Sequence, residues 1–191
     1  MQKLGENAKR LQLICDDVSS VDTPQTDVTV AFNFSYSIFK DRDQLIRYFR
    51  ATRKSLRREG IFLLDVFGGI ESMSNKKDKR VIPAFTSLDG KRYPKFTYIW
   101  GQKDFNVITH EIMCHIHFEQ SRGPILKNAF TYDWRLWTLP ELQDCLLEAG
   151  FKSATSYIHG FDQDGDSDDI FRARKKYTNE LGWIAYLIAD Y

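Results

Sequence analysis

The sequence predicts a single α/β domain with neighbouring parallel strands and an antiparallel strand region set in at about residues 82–137. Three observations predict it. Residues 27–69 read as a buried strand, an amphipathic helix and a second buried strand, the order that builds parallel pairs. His115, His117 and Glu119 alternate with Cys114, Ile116 and Phe118, the period of two of an antiparallel strand with one wet face. Residues 138–151 read as a capped helix that returns to a strand.

Taken in order, residues 1–9 look like the tail of a helix. Residues 11–15 are short and apolar, closed by Asp16 and Asp17, and read as a strand. Thr23, Pro24 and Gln25 make a turn. Residues 28–34 are near-continuously apolar, as expected of a strand covered on both faces. Asp41 opens a helix with Gln44 at capping-box spacing, and Leu45, Phe49, Thr52 and Leu56 follow at helical intervals, broadened by Ile46 and Tyr48. Gly60 stands where a C-terminal cap glycine belongs. Residues 61–67 form a second apolar strand, interrupted only by Asp65. Residues 72–80 (SMSNKKDKR) are polar and read as a mobile loop, followed by strand-like segments at 96–102, 107–119 and 129–137. Thr138 and Glu141 form a second capping box, Leu142, Leu146 and Ala149 mark the buried stripe, and Gly150 ends that helix. Residues 151–158 return as a strand, 162–169 are an acidic loop, and 183–188 are a terminal strand.

Bulk properties exclude several classes. Lys plus Arg number 27 against 26 Asp plus Glu, so nothing points to a nucleic-acid partner held by net charge. No apolar run approaches the ~18 residues of a membrane span, so no membrane partner is expected. Cys15, Cys114 and Cys145 are an odd, widely spaced set without a CxxC pair, which reads as reduced thiols in a cytoplasmic setting.

The order of Asp16-Asp17-Val18 after a strand, Asn33-Phe34-Ser35-Tyr36 after a strand, Gly60-Ile61-Phe62-Leu63-Leu64-Asp65, Trp137-Thr138-Leu139-Pro140-Glu141-Leu142 and Glu148-Ala149-Gly150-Phe151 resembles class I S-adenosylmethionine-dependent methyltransferases. The likeness runs from about residue 10 to the C-terminus, and its order and spacing carry it rather than any one segment. It implies a partial Rossmann-like sheet in the family order 3-2-1-4-5-7-6, with residues 61–67 as the fifth strand and the strands before Trp137 roofing a substrate pocket. The family's glycine-rich turn and the acid that holds the cofactor's ribose have no counterpart in this sequence. The chain therefore resembles a methyltransferase without roughly its first third, and S-adenosylmethionine is the implied cofactor with weak or absent binding.

The resemblance carries over two donor positions. Asp17, with Val18 beside it, matches the acid that accepts from the adenine amino group. Asn33, Phe34, Ser35 and Tyr36 match the segment beside the transferable methyl, with Tyr36 on the acceptor side. Tyr132 and Arg135, in the polar-aromatic run before the last helix, are expected to line the acceptor pocket. The implied function is methyl transfer to a small-molecule acceptor, by in-line displacement that depends mostly on alignment, so no catalytic residue is named.

Plainer readings stand beside these. Asp17 is equally a local turn former, and residues 33–36 equally a strand end with a helix cap. Asp65, a carboxylate inside an apolar strand, either faces the pocket or is tied to backbone amides. His115 and His117 share a strand face with His110 nearby, but no third metal ligand is evident. Asp162, Asp164, Asp166 and Asp168 imitate the start of a calcium loop, yet Gly165 and Ala173 occupy positions that break the pattern. Arg47, Arg50, Lys54 and Arg58 read as a solvated helix face.

Without strands between residues 11–15 and 28–34, the latter becomes an unpaired edge. The expectation is that the N-terminal segment folds back onto it or that two chains associate along it as a homodimer. The rival from another class is a non-catalytic interaction module on the same scaffold. A hydrolase is disfavoured by the absence of a G-x-S-x-G elbow, and a nicotinamide oxidoreductase by the absence of G-x-G-x-x-G.

Overall fold

The computed structural model describes residues 2–120, 123–163 and 167–191 of the chain. After a 3₁₀ segment, Gln2–Arg10, the elements run β1 (Thr26–Ala31), α1 (Arg42–Lys54), β2 (Leu56–Gly68), β3 (Lys76–Ile82), β4 (Phe85–Thr86), β5 (Arg92–Tyr93), β6 (Phe96–Lys103) and β7 (Glu111–Gln120). They continue as β8 (Leu126–Arg135), α2 (Leu139–Glu148), β9 (Ser153–Ile158), β10 (Arg172–Ala173) and β11 (Trp183–Asp190). Two short 3₁₀ turns, Ser35–Ile38 and Ile70–Met73, follow β1 and β2.

The main sheet has the order β1-β2-β11-β9-β10. β1 and β2 are parallel, with Val28 opposite Ile61 and Ala31 opposite Leu64. β11 runs antiparallel to both β2 and β9, so the reversed strand enters between them. This is the 4-5-7-6 portion of the sheet order that the resemblance implies. A second sheet, β3-β6-β7-β8, is antiparallel throughout, and β4 and β5 form a separate hairpin pair.

The core lies on one face of the main sheet. Phe62, Leu64 and Val66 of β2 point there with Leu187 of β11, and α1 and α2 cover them with Leu45, Phe49, Leu142 and Leu146. Fully burying each such side chain contributes ~1.5–3 kcal/mol, so this layer anchors the sheet on which the strand tips are displayed. Both helices start as the sequence predicts. The Asp41 carboxylate accepts from the Asp43 and Gln44 amides, and Thr138 and Glu141 complete a reciprocal capping box. On the opposite face Val28, Val30, Phe32 and Ile184 remain exposed.

Four expectations are corrected. Residues 11–15 lie outside any strand and are exposed, because no strand among the described residues offers them backbone partners. The N-terminal segment likewise does not pair with β1, whose only ladder among the described residues is with β2. Gly60 is not a helix cap. α1 stops at Lys54 with Ser55 as its cap, and Gly60 lies within β2, as does Leu56, which continues the buried stripe from the strand. There the ladder jumps from Thr26–Leu56 to Val28–Ile61, Glu59 takes a φ of 75°, and a Cβ on residue 60 would sit 2.9 Å from the Arg57 carbonyl oxygen. Glycine is required by the bulge. Finally, residues 76–80 of the stretch 72–80 taken for loop belong to the edge strand β3 on β6. Its lysines hide the strand from a hydropathy reading and are the residues that protect a sheet edge.

Candidate functional site

Ligands in open α/β sheets sit outside the carboxyl ends of the strands. At that end of β1 the chain makes an abrupt tip. Asn33 and Phe34 both adopt left-handed backbone, with φ of 58° and 55°. Such conformations cost non-glycine residues about 1–2 kcal/mol each. Asp65 on the neighbouring strand offsets that cost. Its two carboxylate oxygens accept separately from the Asn33 and Phe34 amides, both at 2.9 Å. Of the two readings of Asp65, the amide-bound one is observed.

The tip is held from the far side by aromatic packing. The Phe34 ring meets Phe67 at 4.6 Å and Trp134 at 6.2 Å between centroids. Trp134 in turn stacks near Tyr132 at 4.5 Å and Trp100 at 6.2 Å. These rings join the second sheet to the end of the first. Tyr36, one turn on, is fully buried in the main core. Burial and the nearby Asp65 carboxylate hold its phenol well above the usual tyrosine range. Asn33 and Ser35 are exposed.

Asp17 and Val18 lie elsewhere, and Arg135 faces away from the aromatic joint that holds Tyr132. Asp17 is exposed, and its Oδ1 accepts from the Ser19 amide at 2.8 Å and the Ser19 hydroxyl at 2.6 Å, which lowers its pKa. Val18 lines a groove beside Val28, Val30 and Tyr48, along the β1 edge and α1, and Asn33, Phe34 and Ser35 are not part of that groove. Tyr132 and Arg135 point to opposite faces of β8. Arg135 donates to the Lys40 carbonyl at 2.9 Å and to Glu141 at 3.0 Å, and its guanidinium lies 3.7 Å over the Trp137 ring. It fastens β8 to the starts of both helices.

His115 and His117 stack at 6.1 Å. One ring nitrogen of His115 pairs with the Thr131 hydroxyl, and His117 Nδ1 accepts from the Asn128 amide. No group of three metal-ligating side chains occurs among the described residues. Of the acidic loop, Asp164 and Asp166 lie outside the described residues. Burial pushes the Cys114 thiol up to about 12, so it stays protonated and is no nucleophile.

The sequence reading missed a cleft of about 510 Å³ at the carboxyl ends of β2 and β9. Its walls include Phe67, Gln102, His159 and Trp183. The signal was available: His159 and Gly160 directly follow a strand, where such sites form. Gln102 is buried and satisfied, donating to the Glu71 and Ser74 carbonyls and accepting from Trp100 Nε1. Asp168 shapes the loop on the far side. It accepts from the Gly160 and Ile170 amides at 2.8 and 2.9 Å and from the Arg172 guanidinium at 2.7 Å.

Two predictions follow from these carboxylates. Replacing Asp65 with Ala leaves two left-handed amides without their charged acceptor, and urea unfolding should show a loss of about 2–3 kcal/mol. An unchanged midpoint would remove Asp65 from its anchoring role. For Asp168, the Arg172 contact first, then the Ile170 and Gly160 amides, bring the pKa down to about 2. A depressed carboxylate stabilises the folded form above its unfolded value of ~3.9 and loses that effect as pH falls toward the folded value. The Gly160 amide should therefore hold its NMR position above that range and shift as pH drops from about 4 to about 2. A shift centred on the ordinary carboxylate value would contradict the clamp.

No protein-family model matches the chain, and no curated protein matches it. Solved structures do. An S-adenosylmethionine-dependent methyltransferase from Clostridium acetobutylicum superposes with a TM-score of 0.62 at 15% identity, over 99% of this chain and 68% of that one. The CcbJ methyltransferase from Streptomyces caelestis gives 0.65 at 13%, over 97% and 70%. CalS10, an amino pentose methyltransferase from Micromonospora echinaspora described with S-adenosylmethionine bound, gives 0.59 at 9%, over 92% and 62%. At these identities the likeness is one of fold.

Proposed function

We propose, from the class I S-adenosylmethionine-dependent methyltransferase fold that this chain has, that it takes part in methyl transfer from S-adenosylmethionine to a small-molecule acceptor. The observation that carries the reading is the clamped tip at the carboxyl ends of the parallel pair β1 and β2. The donor supplies an electron-poor sulfonium methyl.

The chain's residues suit parts of that donor. Because Asp65 engages the amides of Asn33 and Phe34, the tip offers mainly oxygens: the Asn33 side chain and the Ser35 hydroxyl. Oxygens suit a cation. Asp17 has one oxygen engaged by Ser19, and the other is the acceptor that an adenine amino group needs. Val18 would pack on the ring. On the acceptor side, Tyr132 stands on the aromatic joint above the tip and Tyr36 in the wall beneath it. Arg135 would act as a positioning residue, since its Nη1 and Nη2 are engaged by the Lys40 carbonyl and Glu141. Small-molecule chemistry is supported by neighbours such as the amino pentose methyltransferase.

Calorimetric titration with S-adenosylhomocysteine tests the reading. The expected outcome is weak binding, with Kd about 0.1–1 mM, lost in Asp17→Ala. No heat up to about 5 mM would favour the interaction module instead. We also propose that two chains associate along the free edge of β1. Light scattering should then give twice the mass of one chain, and a single-chain mass with fast exchange of the β1 amides would reject it.

A further inference from the structure

We propose that the cleft at the ends of β2 and β9 binds an organic amine in its ammonium form, carried on a compact aromatic or apolar body. The volume of about 510 Å³ falls within the ~300–1,000 Å³ of small-molecule sites. Phe67, Phe161, Phe171 and Trp183 supply the apolar walls, and their ring faces attract cations.

The charges select for a cation. Glu71, Asp78 and Asp169 line the cleft, with Lys76 as the opposing ammonium. Lys76 is committed to two of those acids, pairing with Glu71 and with Asp78 at 3.0 Å. Asp169 receives a hydroxyl hydrogen bond from Ser167 at 3.1 Å, and no basic side chain among the described residues pairs with it. The lining therefore carries an excess of negative charge against an apolar wall, which disfavours carboxylates and phosphates.

A separate observation points to the head group. His159 is only 6% exposed, yet it lines this cleft. Its ring is caged by Phe161, Phe171 and Tyr177 at 5.1, 5.9 and 6.3 Å. Its Nδ1 lies 2.9 Å from the Gly160 carbonyl, which can only accept. The proton is therefore on Nδ1, and Nε2 is an acceptor to which no described residue donates. An acceptor nitrogen on a residue that lines a cleft of aromatic rings and carboxylates is matched by a group that is both cationic and a hydrogen-bond donor. Alkylammonium is that group. The binding needs no methyl donor, so it stands or falls apart from the reading above.

The test is calorimetry on the full chain with phenethylammonium, 2-phenylethanol and phenylacetate, three probes that share one body. The amine should bind at least about tenfold more tightly than the alcohol, as expected for a charge-assisted contact, and phenylacetate should not bind. Asp169→Asn and His159→Gln should each weaken the amine and leave the alcohol unchanged. Near-ultraviolet circular dichroism checks that the Trp183 environment is intact in both. Equal affinities for amine and alcohol, no amine binding up to about 10 mM, or an amine preference that survives both substitutions would overturn the assignment.

Discussion

A single carboxylate holds this architecture at the point where it turns. Asp65 sits in an apolar strand, where an unpaired charge would be strongly disfavoured. It is stable there because the tip of the next strand presents two amides to it. The reverse also holds. The left-handed pair at Asn33 and Phe34 exists because those amides converge on a charge. Without that mutual support, β1 has no reason to turn into the Ser35–Ile38 segment, and Tyr36 would lose its buried position.

The second dependence is the joint between the two sheets. Phe34 and Phe67 come from the main sheet, Trp134, Tyr132 and Trp100 from the other, and they meet over the clamped tip. Polar fasteners surround them. Trp137 Nε1 donates to the Phe39 carbonyl at 2.9 Å, and Lys40 pairs with Asp133 at 2.6 Å, which raises the lysine pKa. Arg135 joins the same set. The half-exposed ion pair contributes little alone; the aromatic burial carries most of the joint, and the charged groups fix its geometry.

Legibility followed the physics of each element. Both helices were readable because caps and a periodic apolar stripe are local signals, and residues 61–67 were readable because a covered strand is apolar throughout. The segment at 76–82 was not, since an edge strand needs only backbone partners and favours lysine. Gly60 was misplaced because glycine serves a cap and a bulge equally well, and only the approach of the Arg57, Asp27 and Thr26 carbonyls distinguishes them. Residues 11–15 have strand composition, but a strand is a relation between two segments and none faces them. Asp17 and Val18 on one side, and Asn33, Phe34 and Ser35 on the other, were grouped by the resemblance; their separate settings appear only in three dimensions.

The amino-acid order by itself determined where both helices start, that a parallel strand pair flanks the first of them, and that polar residues stand at the strand ends. Those features rest on periodicity and capping, which act within a few residues. Tertiary structure decided that Asp65 binds backbone rather than faces a pocket, that Tyr132 and Arg135 diverge, and that His159 is buried beside a cleft. Each of these depends on groups far apart in sequence brought within hydrogen-bond or van der Waals range, which no local pattern encodes.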